Sequence, residues 1–166
     1  MQKTILTTLT GYNLWANKKI IETFQTLPEG LIDSVTENSF PTLRKTIYHI
    51  WDAQVIWLNR LQGSSLSDWP SKALSDDFAG YDTYFLKNSE EFDQFVQGKS
   101  EGFLASPIFY RNLSGKEFQT KAWEIILHCM NHGTYHRGQI ITMLRQLKVM
   151  KELPSTDIIF YLRDKL

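Results

Sequence analysis

Between Lys121 and Leu147 one helical face carries Trp123, Ile126, Leu127, Met130, Ile140, Ile141, Met143, Leu144 and Leu147, and Pro154 is the residue that interrupts. A stretch of that length with apolar residues on a 3.6-residue period makes a long amphipathic helix. Such a helix must bury its stripe against other elements. The remaining sequence has to supply those partners.

Three further stretches answer that need. Roughly from residue 2 to 26, Ile5, Leu6, Leu9, Tyr12, Leu14, Trp15, Ala16, Ile20, Ile21 and Phe24 mark a helix that Pro28 and Gly30 end. A short link follows, with Asp33, Glu37 and Asn38 expected at the surface. A second helix starts near Pro41–Thr42, carries Leu43, Ile47, Ile50, Trp57 and Leu61, and stops at Gly63-Ser64-Ser65. From Gly63 to about Asp77 there is no clear period, which predicts a long connection with about one turn of helix. A third helix is expected from Gly80 to Phe95. Ile108–Arg111 and Glu117–Thr120 flank Asn112-Leu113-Ser114-Gly115, a hairpin signature. Ser155-Thr156-Asp157 is expected to cap a short C-terminal helix. The fold class that follows is all-α: one domain over residues 1–166, a four-helix bundle with a small β-hairpin before the last long helix. The long connection after the second helix predicts a topology other than simple up-and-down.

Composition excludes several classes. The chain has 166 residues, of which 42% are hydrophobic, enough to build a core without cross-links. Its 18 basic and 18 acidic residues cancel, so no global field draws it to nucleic acid or to an anionic membrane. No stretch reaches the ~18 apolar residues that span a bilayer, and the N-terminal stretch has no secretory apolar core. Cys129 has no second cysteine to pair with. A reducing, cytoplasmic setting is the expectation.

Three of the four histidines fall in "HCMNHGTYHRGQI", as His128, His132 and His136. A step of four turns a helix by roughly 40° and advances about 6 Å, so neighbours in this row can aim two imidazoles at one point. His132 shares its face with Ile125, Cys129, Gln139, Met143 and Leu147, which directs the row inward. His128 and His136 are about 12 Å apart along the axis, too far to share one ion with bonds near 2 Å. A third ligand has to come from another helix, and His49 in "TIYHIWDAQ" is the remaining histidine. Spacing alone leaves open whether the helical pair is His128/His132 or His132/His136. Either way the coordination sphere keeps positions for water or substrate.

The strings "HIWDAQVIW" and "HCMNHGTYHRGQI", with "LTGYNLWANKKI" near the start and "PSTDIIFYLR" at the end, resemble the DinB (damage-inducible) family of helical metal proteins along nearly the whole chain. The resemblance implies that His49, His132 and His136 hold one divalent transition metal and that the protein forms a homodimer; imidazole ligands suit zinc, nickel, copper or iron, and zinc or nickel is the expectation. It leaves His128 a pocket role one turn away. It also implies kinship with metal-dependent transferases and isomerases that use low-molecular-weight thiols such as bacillithiol or mycothiol.

Around this row, Asp52 lies one turn beyond His49 and either orients an imidazole or is an ordinary polar helix residue. Asn131, Tyr135 and Arg137 lie off the row, where they meet neighbouring helices or a dimer partner; Arg137 is also a candidate for holding a thiol's carboxylates. Gly133 and Gly138 each cost about 1 kcal/mol in a helix, which a close helix approach would explain. Cys129 reads as a small core residue rather than a nucleophile. Two functions from different classes fit: a metal-dependent transferase joining a thiol to an electrophilic small molecule, or a non-enzymatic metal-binding stress or interaction protein.

Overall fold

The computed structural model describes residues 2–75, 79–149 and 152–164. Helix α1 spans Gln2–Phe24, α2 Leu43–Leu61, α3 Tyr81–Gln97, α4 Glu101–Ala105, α5 Ala122–Gln146 and α6 Ile158–Arg163. Strands β1 (Pro107–Arg111) and β2 (Glu117–Lys121) pair antiparallel immediately before α5, with Phe109 opposite Gln119. The expected bundle, hairpin and terminal helix are therefore present. Among the described residues, no helix is long and apolar enough to cross a membrane.

The helix ends follow local chemistry. Thr42 caps α2 by accepting a hydrogen bond from the Lys45 amide at 3.1 Å. Gly63 takes φ +83° just past the end of α2, a conformation that side chains resist. At α5 the Glu124 carboxylate accepts from the Lys121 amide at 2.9 Å. The connection after α2 contains one 3-10 turn, Pro70–Ala73, as expected; its far end near Asp77 lies outside the described residues. Two corrections are needed. The five-residue helix α4 had no periodic signal, and Ser100 nucleates it by accepting from the Phe103 amide. At α6, Asp157 occupies the cap position but its side chain makes no capping hydrogen bond.

Two apolar clusters occupy opposite ends of the bundle. One joins Leu6, Leu58, Leu61, Phe92, Val96, Ile125 and Met130; the other joins Ile20, Leu43, Ile47, Phe85, Ile140 and Met143. Those pairings make α1 and α5 run one way and α2 and α3 the other. Helix α1 packs on α3 and α5, and α2 packs on the same two helices. The neighbours α2 and α3 are thus parallel. The chain must travel back along the bundle between them, which is the reason for the long connection.

A polar belt lies between the clusters. Arg137, 1% exposed, donates to Asn13 Oδ1 at 2.7 Å, Asn17 Oδ1 at 2.9 Å and Thr134 Oγ1 at 2.9 Å. Asn13 donates to Gln54 Oε1 at 2.6 Å, and Asn17 donates to Ser89 Oγ at 3.0 Å. Four helices are tied at one level by these bonds, since buried polar groups favour positions where they find partners; of the Arg137 guanidinium only Nε is left without one. That fixes how far α5 can slide along α2, and so which histidines meet.

Candidate metal centre

The belt sets the middle of α5 against the first half of α2. His49 Nε2 lies 3.0 Å from His132 Nε2, and His136 Nε2 lies 3.1 Å from the same atom. The three candidate ligand atoms all fall within 4.8 Å of one another. The open choice between helical pairs is resolved at the level of geometry: His132 and His136 join His49. His128 stays one turn away, its ring centroid 6.1 Å from that of His132 and edge-on to Trp57 at 5.2 Å.

The ring tautomers fit a metal. His136 Nδ1 lies 2.7 Å from Gln139 Oε1, an atom that only accepts, so Nδ1 carries the proton and Nε2 turns a lone pair to the centre. The amide orientation is consistent, since Gln139 Nε2 donates to Ser39 Oγ at 3.2 Å and to Tyr135 Oη at 3.3 Å. His132 Nδ1 is buried with no hydrogen-bond partner. A single Nε2 of His132 cannot serve two neighbouring nitrogens at once as one linear hydrogen bond. Two imidazole nitrogens bound to one ion at 2.0–2.1 Å stand about 3 Å apart, as His132 Nε2 does from each of the other two.

Burial also holds the rings in the form that binds metals. It pushes His49 down from 6.5 to about 4, with help from neighbouring His136. His132 is pushed down to about 3 by burial and then by His136, His49 and His128. His136 is lowered by burial, against the hydrogen bond to Gln139. All three are neutral at physiological pH and can offer lone pairs. Phe40 stacks on His49 with ring centroids 4.2 Å apart, and Trp69 stands 6.1 Å away. Both belong to a cleft of about 710 Å³ that also includes Tyr48, His49, Asp52 and Lys72.

Several neighbours differ from expectation. Asp52 orients no imidazole: its carboxylate accepts from the amide and hydroxyl of Ser71, at 2.7 and 2.6 Å, and so anchors the long connection beside the cleft. The imidazole is oriented by Gln139 instead, which its i+3 spacing from His136 on the helix could have revealed. Phe40 and Trp69 lie outside the helices and had no periodic signal. Arg137 is committed to the polar belt and is not a carboxylate holder for the centre. Tyr135 is 63% exposed, and Asn131 is exposed on the outer face of α5. A Cβ at Gly133 would lie 2.8 Å from Asn13 Oδ1, so the close approach expected there exists; a Cβ at Gly138 would meet nothing within 4 Å. Cys129 is fully buried, and burial pushes its thiol up, in keeping with a core role.

Fold and site together define a helical bundle whose three clustered histidines are able to hold a metal ion. The DinB family matches residues 1–163. Over 144 residues, covering 81% of each chain, the sequence is 31% identical to "Protein DinB" of Bacillus subtilis (strain 168). The chain belongs to the DinB family.

Proposed function

We propose that this protein, acting as a single domain, holds one divalent transition metal, zinc or nickel, through His49, His132 and His136. Its reaction is the transfer of a low-molecular-weight thiol to an electrophilic small molecule, in the cytoplasm, as a homodimer. The convergence of three neutral Nε2 atoms, two of them 3.0 and 3.1 Å from the third, carries this reading. When bound, the ion supplies positive charge that favours loss of a thiol proton at an open coordination position.

The chain's own residues do the rest. The polar belt fixes the spacing of the imidazoles, and Gln139 holds the proton of His136 on Nδ1. Phe40 and Trp69 offer flat apolar walls to an organic electrophile and keep water from one side of the centre. In the transfer the S–H proton goes to solvent and the sulfur lone pair forms a new S–C bond. The leaving group departs with the electron pair of the bond that breaks. Apolar residues on the outer faces of α5 and α6, among them Leu127, Ile158 and Leu162, suit a second copy of the chain.

The test is metal analysis of untagged protein, followed by thiol consumption with a chloronitrobenzene electrophile. Metal at one per chain and thiol loss that a chelator abolishes are the expected results. Bound metal with no acceleration across several thiols would replace the transferase reading with the non-enzymatic one.

A further inference from the structure

Helix α2 presents His49, Ala53, Trp57 and Arg60 at steps of four, four and three, which makes one stripe. The facing stripe of the oppositely directed α5 is His136, His132 and His128. His49 meets the first two, and Trp57 meets His128. Arg60 folds back over this second meeting point. Its guanidinium carbon lies 4.2 Å from the Trp57 ring centre and 4.8 Å from that of Tyr110 in β1.

The chain's buried arginines differ in how they are satisfied. Arg44 pairs with Asp33, and Arg137 has the three acceptors of the polar belt. The Nε of both Arg60 and Arg137 is buried without a partner, but Arg60, only 6% exposed, has in addition no carboxylate and no hydrogen-bond acceptor for the rest of its guanidinium among the described residues. Aromatic faces offset part of its charge but offer no lone pair to a planar fork of N–H groups. Natural interiors rarely leave such a group unmet, and a carboxylate is the acceptor that fits the fork.

We propose that Arg60, lying against the rings of Trp57 and Tyr110 beside His128, binds a carboxylate of the small molecule whose other end lies at the three-histidine centre. This rests on the thiol reading above and assigns to Arg60, in place of Arg137, the holding of the thiol's carboxylate. Two steps of four along α2 separate His49 from Trp57 by about 12 Å. A tripeptide-sized or sugar-linked thiol spans that interval with its sulfur at one end and its acid at the other. A two-carbon thiol does not.

Two measurements decide it. In metal-free protein, succinate should shift the Arg60 Nε–H resonance at millimolar concentration, and equal ionic strength of chloride should not. Equal shifts from both salts, or none from succinate, overturn the anion site. In cobalt-substituted protein, the sulfur-to-metal absorption band should titrate with glutathione at least about tenfold more tightly than with its diester, the usual scale of a lost charge-assisted contact. Arg60→Gln should abolish that preference and Arg60→Lys should keep part of it. Equal binding of acid and ester by the wild type overturns the proposal without using a variant. A merely structural Arg60, pinning the hairpin to the bundle, would lower the melting temperature of both variants and leave the acid-to-ester ratio at its wild-type value. No band with either thiol would remove the thiol reading, while the succinate shift would still decide the anion site.

Discussion

Gln139 Oε1 accepts the Nδ1 proton of His136 across 2.7 Å, and this one bond decides which nitrogen of that ring faces His49 and His132. Partners of this kind set both the orientation and the basicity of a ligand imidazole. Gln139→Leu should therefore weaken metal binding by about 10–100-fold while His136 remains in place. Gln139→Glu supplies a stronger acceptor and should retain affinity. Competition against a chromophoric chelator measures both. Unchanged affinity in Gln139→Leu would mean that packing alone orients the ring.

His132 stands between the other two rings, within 3.0 Å of one and 3.1 Å of the other at Nε2. His132→Ala should reduce bound metal from one per chain to background, with helical circular dichroism retained. In the metal-free protein the cost is offset in part, because the ring's Nδ1 is already buried without a partner, although His49 and His136 lose the neighbour that their Nε2 atoms face. Atomic absorption at wild-type stoichiometry in this variant would remove His132 from the centre.

Much of this was legible because helices advertise themselves by period. The stripes on α1, α2, α3 and α5, the glycine stop at Gly63 and the hairpin around Asn112–Gly115 all read directly from local pattern. His132 and His136 were recognisable as two members of one row, yet the row held three; spacing left the pair open, the family resemblance set His128 aside, and the position of α2 brings His49 to the other two. That position depends on Asn13, Asn17, Gln54, Ser89 and Arg137 meeting in one belt. Each lies in a different sequence neighbourhood from most of its partners, so no local pattern reports it. The same is true of Asp52, whose partner Ser71 belongs to the long connection. Arg60 looked like any basic residue near a helix end until Trp57 and Tyr110 closed on it.

Acid should act on this site with a definite sign. In the unfolded chain His49 and His132 titrate near 6.5, whereas burial holds them at about 4 and about 3 in the fold. Below 6.5 the unfolded chain takes up protons that the metal-free fold refuses. Stability is then lost as pH falls through that window, and is insensitive to these rings above it. The melting temperature of metal-free protein should stay level above about pH 7 and decline towards roughly pH 5, before most carboxylates titrate. The double variant His49→Leu with His132→Leu should flatten part of that decline. Identical slopes in variant and wild type would place the acid-sensitive groups elsewhere. Metal should be released over the acid range as well, because only neutral imidazoles bind it.

The two glycines of α5 should respond oppositely to alanine. At Gly133 the added Cβ would lie 2.8 Å from Asn13 Oδ1 and 3.0 Å from Arg137 Nη1, both members of a belt with little room to yield. Overpacking of that kind costs about 1–3 kcal/mol. A displaced Arg137 would also disturb the level at which α5 meets α2, so Gly133→Ala should weaken metal binding along with stability. At Gly138 nothing lies within 4 Å of the new Cβ, and the residue is exposed. The helix there gains the ordinary preference for alanine, about 1 kcal/mol, with metal affinity unchanged. Urea denaturation of the two variants in the metal-free state separates these outcomes. Equal stability changes of the same sign would show that α5 tolerates a side chain against Asn13, and that the belt does not hold the histidines in register.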